Sequence, residues 1–377
     1  MGLTELAEIS RYYGADPHFV LAGGGNTSYK EGNALYVKAS GFALARITEE
    51  GFVRMQRDRL AAIWERRYPV DPDKREQEAL ADLMSARADG QTLRPSVETL
   101  LHDLLPQRYV VHTHPALVNG LTCSQAGPDI AEEIFGSGML WVPTTNPGYI
   151  LAKEVRSVIR KHTGAGNSVP PLIFLQNHGV FVAADSVEEI KRIYDDVFSR
   201  ISARVTREPE RAPGEQGEDV ALPGAPGQVV RALSNPEIAR QTAAGPAGPL
   251  STLGYTPDHI VYCRSTPAWL PVDDQGPRDG GGTLPAREAV EAAVADYTKR
   301  YGQTPRIFAR TDGTVWISAE SRKVADSAAV LFADLLKILA YSESFGGPLP
   351  MPEDQIEFIR NWEVERFRAK ISTESTE

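Results

Sequence analysis

The sequence predicts an α/β protein made of one larger and one smaller unit. Three observations point there. Over residues 1–206 helical periodicity alternates with short β-branched and aromatic runs. Over 207–255 Pro, Gly and Ala dominate, the composition of a connecting region. From 256 to 377 a smaller α+β pattern resumes. A chain of 377 residues has room for one large domain or two modest ones, at about 150 residues each. With 42% hydrophobic and 24% charged residues it has the composition of a chain that forms a core.

The elements follow in order. Leu3 to Tyr13 has an amphipathic helical pattern, and Leu21 to Lys30 reads as a tight turn running into a strand. Glu31-Gly32-Asn33 is turn chemistry, and Ala34 to Ala39 alternates as a strand before Ser40-Gly41 stops it. Helical patterns cover 57–67 and 74–88. Pro95-Ser96 opens a helix over Val97 to Leu105 with Ser96 as N-cap, and Tyr109 to Thr113 reads as a strand. Further strands are expected at 139–142, 172–176 and 180–183. Helices are expected at 150–162 and 186–206, the latter opened by Asp185-Ser186. In the connecting region Gly227 to Gln241 has a helical pattern. Beyond it come a strand at Ile260 to Cys263, a helix at 285–301, and a hairpin of 307–310 and 315–318 around Asp312-Gly313. Helices at 323–342 and 353–369 complete the pattern, with Trp316 and Phe332 as core residues. The smaller unit is expected to line an interface or cap a site.

Composition excludes several classes. A net charge of −10 lacks the basic face that nucleic-acid binding requires. Two cysteines, Cys123 and Cys263, do not make a disulfide framework and indicate a reducing compartment. The stretch MGLTELAEIS has neither the basic nor the apolar region of a signal peptide, and no apolar run approaches the ~20 residues of a membrane span. The expectation is a cytoplasmic protein without membrane or nucleic-acid partners.

The chemistry lies in three histidines. His112-Thr113-His114 ends a strand, where alternation turns positions 112 and 114 to one face, ~6.6 Å apart along the strand. His178, in Leu175-Gln-Asn-His-Gly179, ends another strand. Three neutral imidazoles with an open position suit a catalytic Zn²⁺, with Mn²⁺, Fe²⁺ or Co²⁺ as other choices. Ordinary strand-end histidines remain the alternative. Glu98, in the first turn of the helix after Ser96, can fold back as a general base beside such an ion. The helix dipole alone also accounts for a glutamate there. His102, four residues on, either orients Glu98 or packs.

Gly23-Gly24-Gly25-Asn26-Thr27-Ser28 is not a dinucleotide fingerprint, because no Gly stands at 28 and a strand follows. It can still offer backbone N–H groups to an anion, as can the turns at Ser40-Gly41 and Ser96. Tight turns and one N-cap explain the same residues.

Gly-Gly-Gly-Asn-Thr-Ser (23–28), Lys38-Ala-Ser-Gly41, Arg94-Pro-Ser-Val-Glu98, His112-Thr-His-Pro115 and Gln176-Asn-His-Gly179 stand in the order and spacing of the class II aldolase/adducin family. The chain resembles most the aldolase portion of bifunctional rhamnulose-1-phosphate aldolase/alcohol dehydrogenase proteins, firmly over 1–206 and less specifically beyond. No Rossmann fingerprint follows, so the dehydrogenase half is expected to be absent. The resemblance implies an α/β/α sandwich around a central, mainly antiparallel sheet.

It also implies a metal held by His112, His114 and His178, most simply Zn²⁺ with Mn²⁺ as alternative, and Glu98 as acid/base. Asn26, Ser40, Gly41 and Ser96, beside Gly25 of the glycine turn, match the family's phosphate-binding positions. The implied reaction cleaves a ketose, typically a ketose 1-phosphate, to a three-carbon keto fragment and an aldehyde through a metal-stabilised enediolate. Sugar-phosphate 4-epimerases and keto-acid decarboxylases of the family share the site, and adducin-like members, which lack the histidines, only bind. Relatives form homo-oligomers, tetramers or dimers. Val97 departs from the second serine of fuculose-phosphate-type aldolases, which leaves an unphosphorylated or carboxylated sugar open as substrate.

Overall fold

The computed structural model describes residues 2–210, 218–272, 278–279 and 282–362. Its larger sheet has seven strands: β1 (Asn26–Glu31), β2 (Ala34–Lys38), β3 (Phe52–Gln56), β4 (Tyr109–Thr113), β5 (Met139–Val142), β6 (Leu172–Leu175) and β7 (Gly179–Ala184). The order is β3-β2-β1-β4-β7-β6-β5, and every neighbouring pair is antiparallel except β5 with β6.

The helices of this unit are α1 (Leu3–Gly14), α2 (Arg57–Ile63), α3 (Pro72–Ser85), α4 (Thr99–Leu104), α5 (Ala116–Thr122), α6 (Gly127–Phe135), α7 (Tyr149–Gly164) and α8 (Val187–Ser202). Side-chain alternation along the strands divides the core into two layers. Tyr109, Val111, Val180 and Val182 pack with Leu6 and Ile9 of α1, Val118 and Leu121 of α5, and Ile190 and Tyr194 of α8. Val110, Phe181 and Ile173 face the other way, onto Leu60 of α2, Leu83 of α3, Leu100 and Leu101 of α4, and Leu151 and Val155 of α7. The fold is therefore the expected α/β/α sandwich with a mainly antiparallel sheet. His112 shares the parity of Val110, so its ring enters the α4 side and stacks on Phe181, with centroids 4.0 Å apart.

The remaining elements build a second sheet. Its strands β8 (Glu218–Asp219), β9 (Val229–Leu233), β10 (Ala268–Trp269), β13 (Ile307–Ala309) and β14 (Val315–Ala319) run in the order β10-β13-β14-β9-β8. A ribbon pairs β11 (Arg278–Asp279) with β12 (Gly282–Thr283). The helices are α9 (Pro236–Thr242), α10 (Pro257–Cys263), α11 (Arg287–Tyr301), α12 (Arg322–Ser342) and α13 (Glu353–Asn361). Ile307, Ile317 and Leu233 pack under α12, while Phe308, Trp316 and Val230 pack on Val290 and Tyr297 of α11. Trp316 and Phe332 are core, as expected. α12 lies along α5 and so joins the second sheet to the first sandwich. The approach needs Gly120, where a Cβ would stand 2.3 Å from the Tyr341 Cβ.

Several expectations are corrected. Gly227 to Gln241 is not one helix, since β9 pairs with β14 and β8 before Asn235 caps α9 with Pro236 in its first turn. Residues 218–255 are thus partly sheet rather than pure connection. Ile260 to Cys263 is not a strand. Thr256 accepts from the His259 N–H and Pro257 enters the first turn, so the β-branched run continues a capped helix. The helix after Ser96 starts only at Thr99. β3, α5 and α6 have no counterpart among the expected elements. α13 ends at Asn361, and 363–369 of the expected last helix lie outside the described residues, as do 211–217 of the connecting region. Among the described residues no helix is long and apolar enough to cross a membrane.

Candidate metal centre

Antiparallel pairing brings the three histidines together. His112 sits on β4 opposite Phe181, His114 leaves the same strand, and His178 precedes β7, which pairs with β4. Thr113 is opposite Val180, so the turn at 176–178 ends beside 112–114. Asn177 makes this turn with φ +56°, a left-handed value that Asn tolerates. Gly179 must be glycine, because a Cβ there would lie 2.5 Å from the Thr113 carbonyl and 2.6 Å from His114 Cδ2.

One ligand atom from each of His112, His114 and His178 lies within 4.8 Å of the other two. His112 Nδ1 is 3.0 Å from the Val180 carbonyl, which can only accept, so this nitrogen carries the proton and Nε2 is bare. His114 Nδ1 is 2.6 Å from Asp258 Oδ2, so in the neutral ring this nitrogen carries the proton and Nε2 is bare. The two Nε2 atoms face each other at 2.9 Å. Burial holds the His112 imidazole well below its ordinary range, against the pull of Glu98, so it is neutral and able to ligate.

Glu98 completes the ring. Its Oε2 lies 3.5 Å from His112 Nε2 and its Oε1 3.3 Å from His178 Nε2. Oε1 is buried and has no hydrogen-bond partner among the described residues. Burial disfavours the Glu98 charge, and the hydrogen bond from the Asn26 amide works against burial to lower the carboxyl. With both rings neutral, two bare imidazole nitrogens in contact and an orphaned, buried carboxylate oxygen are a donor set that a divalent cation fits.

A chain of hydrogen bonds aims the glutamate. Asn26 Nδ2 donates to Glu98 Oε2 (2.5 Å). The Asn26 oxygen is bound by His102 Nε2, whose Nδ1 receives the Ser28 hydroxyl at 2.8 Å. Burial lowers His102 to about 3, so the ring is neutral and its two nitrogens keep opposite roles. His102 therefore acts on Glu98 through Asn26 rather than by contact. Glu98 itself sits just before α4, not within its first turn. The Ser96 hydroxyl accepts from the Glu98 N–H at 3.2 Å and the Ser96 carbonyl accepts from Thr99, so Ser96 tightens the turn that presents Glu98.

The other loop residues lie on two paired loops and on the glycine turn. An Ala39–Pro95 bridge pairs the loop of Ser40 and Gly41 with that of Ser96. Ser40 N–H donates to the Arg94 carbonyl and its hydroxyl to the Pro95 carbonyl. Gly25, at φ +67°, passes so close to the His112 carbonyl that a Cβ would lie 2.9 Å from it. The Asn26 amide is engaged by Glu98 and His102.

The model of the family Class II Aldolase and Adducin N-terminal domain matches residues 4–195. The chain belongs to this family. The family segment holds His112, His114, His178 and Glu98, while Asp258 lies outside it. Over 197 residues the chain is 32% identical to the uncharacterized oxidoreductase YuxG of Bacillus subtilis (strain 168), a match covering 50% of this chain and 27% of that protein. The chain thus spans about a quarter of the length of this relative. The N-terminal class II aldolase domain of a conserved protein from Thermoplasma acidophilum is 29% identical with a TM-score of 0.45, over 53% of this chain and 91% of that one. L-fuculose-1-phosphate aldolase from Thermus thermophilus is 15% identical with a TM-score of 0.34, over 52% of this chain and 92% of that one.

Asp258 is the residue that sequence reasoning missed. It is 144 positions from His114, in a stretch that leads into the expected strand, and nothing local signals the pairing.

Proposed function

We propose that this class II aldolase family member is a metal-dependent carbon–carbon lyase that cleaves a ketose, in the first instance a ketose 1-phosphate, to a three-carbon keto fragment and an aldehyde. The observation that carries the reading is the meeting of three imidazoles with the orphaned Glu98 oxygen inside the family segment. His112, His114 and His178 would hold the ion, Zn²⁺ or Mn²⁺. When bound, it supplies a Lewis acid for the negative charge that develops on the substrate's oxygens as the carbon–carbon bond breaks.

The chain's own residues do the rest. Glu98 is ionised, and the Ser28–His102–Asn26 chain keeps its carboxylate on the imidazole ring of ligands. As the carbon–carbon bond breaks, the hydroxyl on the carbon that becomes the aldehyde gives up its proton, Glu98 would receive it, and Glu98 would then return it to the carbon next to the carbonyl. To Gly25, Asn26, Ser40, Gly41 and Ser96 we assign the binding of the substrate's phosphate. The Ser96 hydroxyl accepts from the Glu98 N–H and keeps its own proton to donate to a substrate oxygen. Val97 offers no hydroxyl beside it. We place the protein in the cytoplasm as a homo-oligomer.

The test is the metal content of the purified chain beside His114→Ala, followed by retro-aldol turnover on a panel of ketose 1-phosphates. The expected result is about one ion per chain, lost in the variant, with aldehyde released from one ketose. Metal without cleavage transfers the reading to a 4-epimerase or a decarboxylase on the same ligands. No metal under replete conditions sinks it.

A further inference from the structure

We infer that Asp258 is the positioning residue for His114, so that the C-terminal unit of this same chain completes the candidate metal site. The inference rests on the reading of His112, His114 and His178 as ligands.

Asp258 belongs to α10, outside the family segment, yet its Oδ2 lies 2.6 Å from His114 Nδ1. Both side chains are largely buried, at 14% exposed for His114 and 8% for Asp258. A buried carboxylate is strongly destabilising unless it is paired, so Asp258 needs its imidazole as much as the imidazole needs its orientation. The pair fixes the ring in two respects. The proton stays on Nδ1, and the Nε2 lone pair turns toward His112 Nε2 at 2.9 Å. His112 obtains the same constraint from the Val180 carbonyl of its own sheet. His114 lies past the end of β4, and Asp258 supplies the constraint from the second unit.

The approach of α10 is itself built into both units. Asp258 and Tyr262 are four residues apart and so share one face of the helix, and this face covers the glycine turn. A Cβ on Gly24 would lie 3.1 Å from Asp258 Oδ2 and 3.3 Å from His114 Nδ1, and one on Gly23 would lie 3.3 Å from the Tyr262 hydroxyl. Two glycines without side chains thus let the helix reach the histidine. On its other sides α10 packs on α12 and α13, so the carboxylate is held by a core. A second tie between the units lies beside His178. Asn177, next to His178, donates to the Leu349 carbonyl at 2.8 Å.

A carboxylate on the far nitrogen of a ligating histidine orients the ring and raises its basicity, and its loss commonly costs 10–100-fold in metal affinity. The experiment measures Zn²⁺ affinity by chelator competition, and the visible absorption of the Co²⁺ form, for the wild type, Asp258→Asn and Asp258→Ala. The metal-free unfolding midpoint of each is recorded alongside. Asp258→Ala should bind Zn²⁺ roughly 10–100-fold more weakly, Asp258→Asn should fall between it and the wild type, and both Co²⁺ spectra should shift while each metal-free variant still unfolds cooperatively. If Asp258→Ala does not fold, Asp258→Asn decides. Affinity and spectrum like the wild type's in a folded variant overturn the inference and leave the ligand reading intact. Unfolding of both variants makes the contact a purely structural pair and also overturns it. A wild type that binds no Zn²⁺ removes the ligand reading and this inference with it.

Discussion

Glu98 carries the chemistry by virtue of what surrounds it. A carboxylate in the first turn of a helix would be ordinary, but this one sits just before Thr99, aimed inward by the Ser96 turn and held by Asn26. One of its oxygens is bonded and the other is directed at His178 without a hydrogen-bond partner among the described residues. Replacing it by Gln keeps the shape and an oxygen for Asn26 but removes the base. In Glu98→Gln, turnover on the ketose that the wild type cleaves should fall about 10²–10⁴-fold, the usual contribution of a positioned acid/base group. Metal content at saturating Zn²⁺ should be retained, so metal analysis beside a turnover assay separates a lost base from a lost site. A variant that keeps full turnover would remove Glu98 from the mechanism.

Elements meet where side chains are missing. α5 follows directly from the His112–His114 strand end, and α12 crosses it at Gly120, with the Tyr341 Cβ where a Cβ of residue 120 would have to go. This contact joins the second unit to the helix that follows the strand of His112. Gly120→Val forces the helices apart, and overpacking of this kind typically costs about 1–3 kcal/mol. Urea unfolding should show a loss of about that size. A change within error would mean that the α5–α12 seam yields without strain.

At the scale of the whole molecule, stability depends on pH through a buried lysine. Burial lowers Lys30 from 10.5 to about 7 although Asp103 and Asp185 act in the opposite direction, and its Nζ donates to the Gln107 carbonyl. Between about pH 7 and 10.5 the unfolded chain holds a proton that the folded chain has released, so stability rises with pH across that window. Below about 7 both states hold it and Lys30 adds no slope. Lys30→Met should therefore flatten the rise of unfolding free energy between about pH 7 and 10.5, measured by urea titrations at several pH values. An unchanged slope would mean that Lys30 titrates as an exposed lysine does.

The sequence by itself determined whatever rests on short-range sterics and periodicity. The alternation of Tyr109 to Thr113 put His112 on one face, Ser186 capped α8, and Asp312-Gly313 joined β13 to β14. The family resemblance of the motifs from Gly23 to Gly179 implied the sandwich and the histidine set. Where local signals compete, sequence alone misleads. The β-branched Ile260-Val261 suggests a strand, but the Thr256-Pro257 cap and packing on α12 make a helix. Val229-Val230 falls in a helical pattern, but pairing with β14 makes a strand. Only the tertiary structure decided that α10 would bring Asp258 to His114, that His102 would reach Glu98 through Asn26, and that the second unit would close over the glycine turn. Those contacts join residues from 72 (Asn26 and Glu98) to 239 (Gly23 and Tyr262) positions apart. Chain periodicity carries no information over such separations, and the packing of buried surfaces sets them instead.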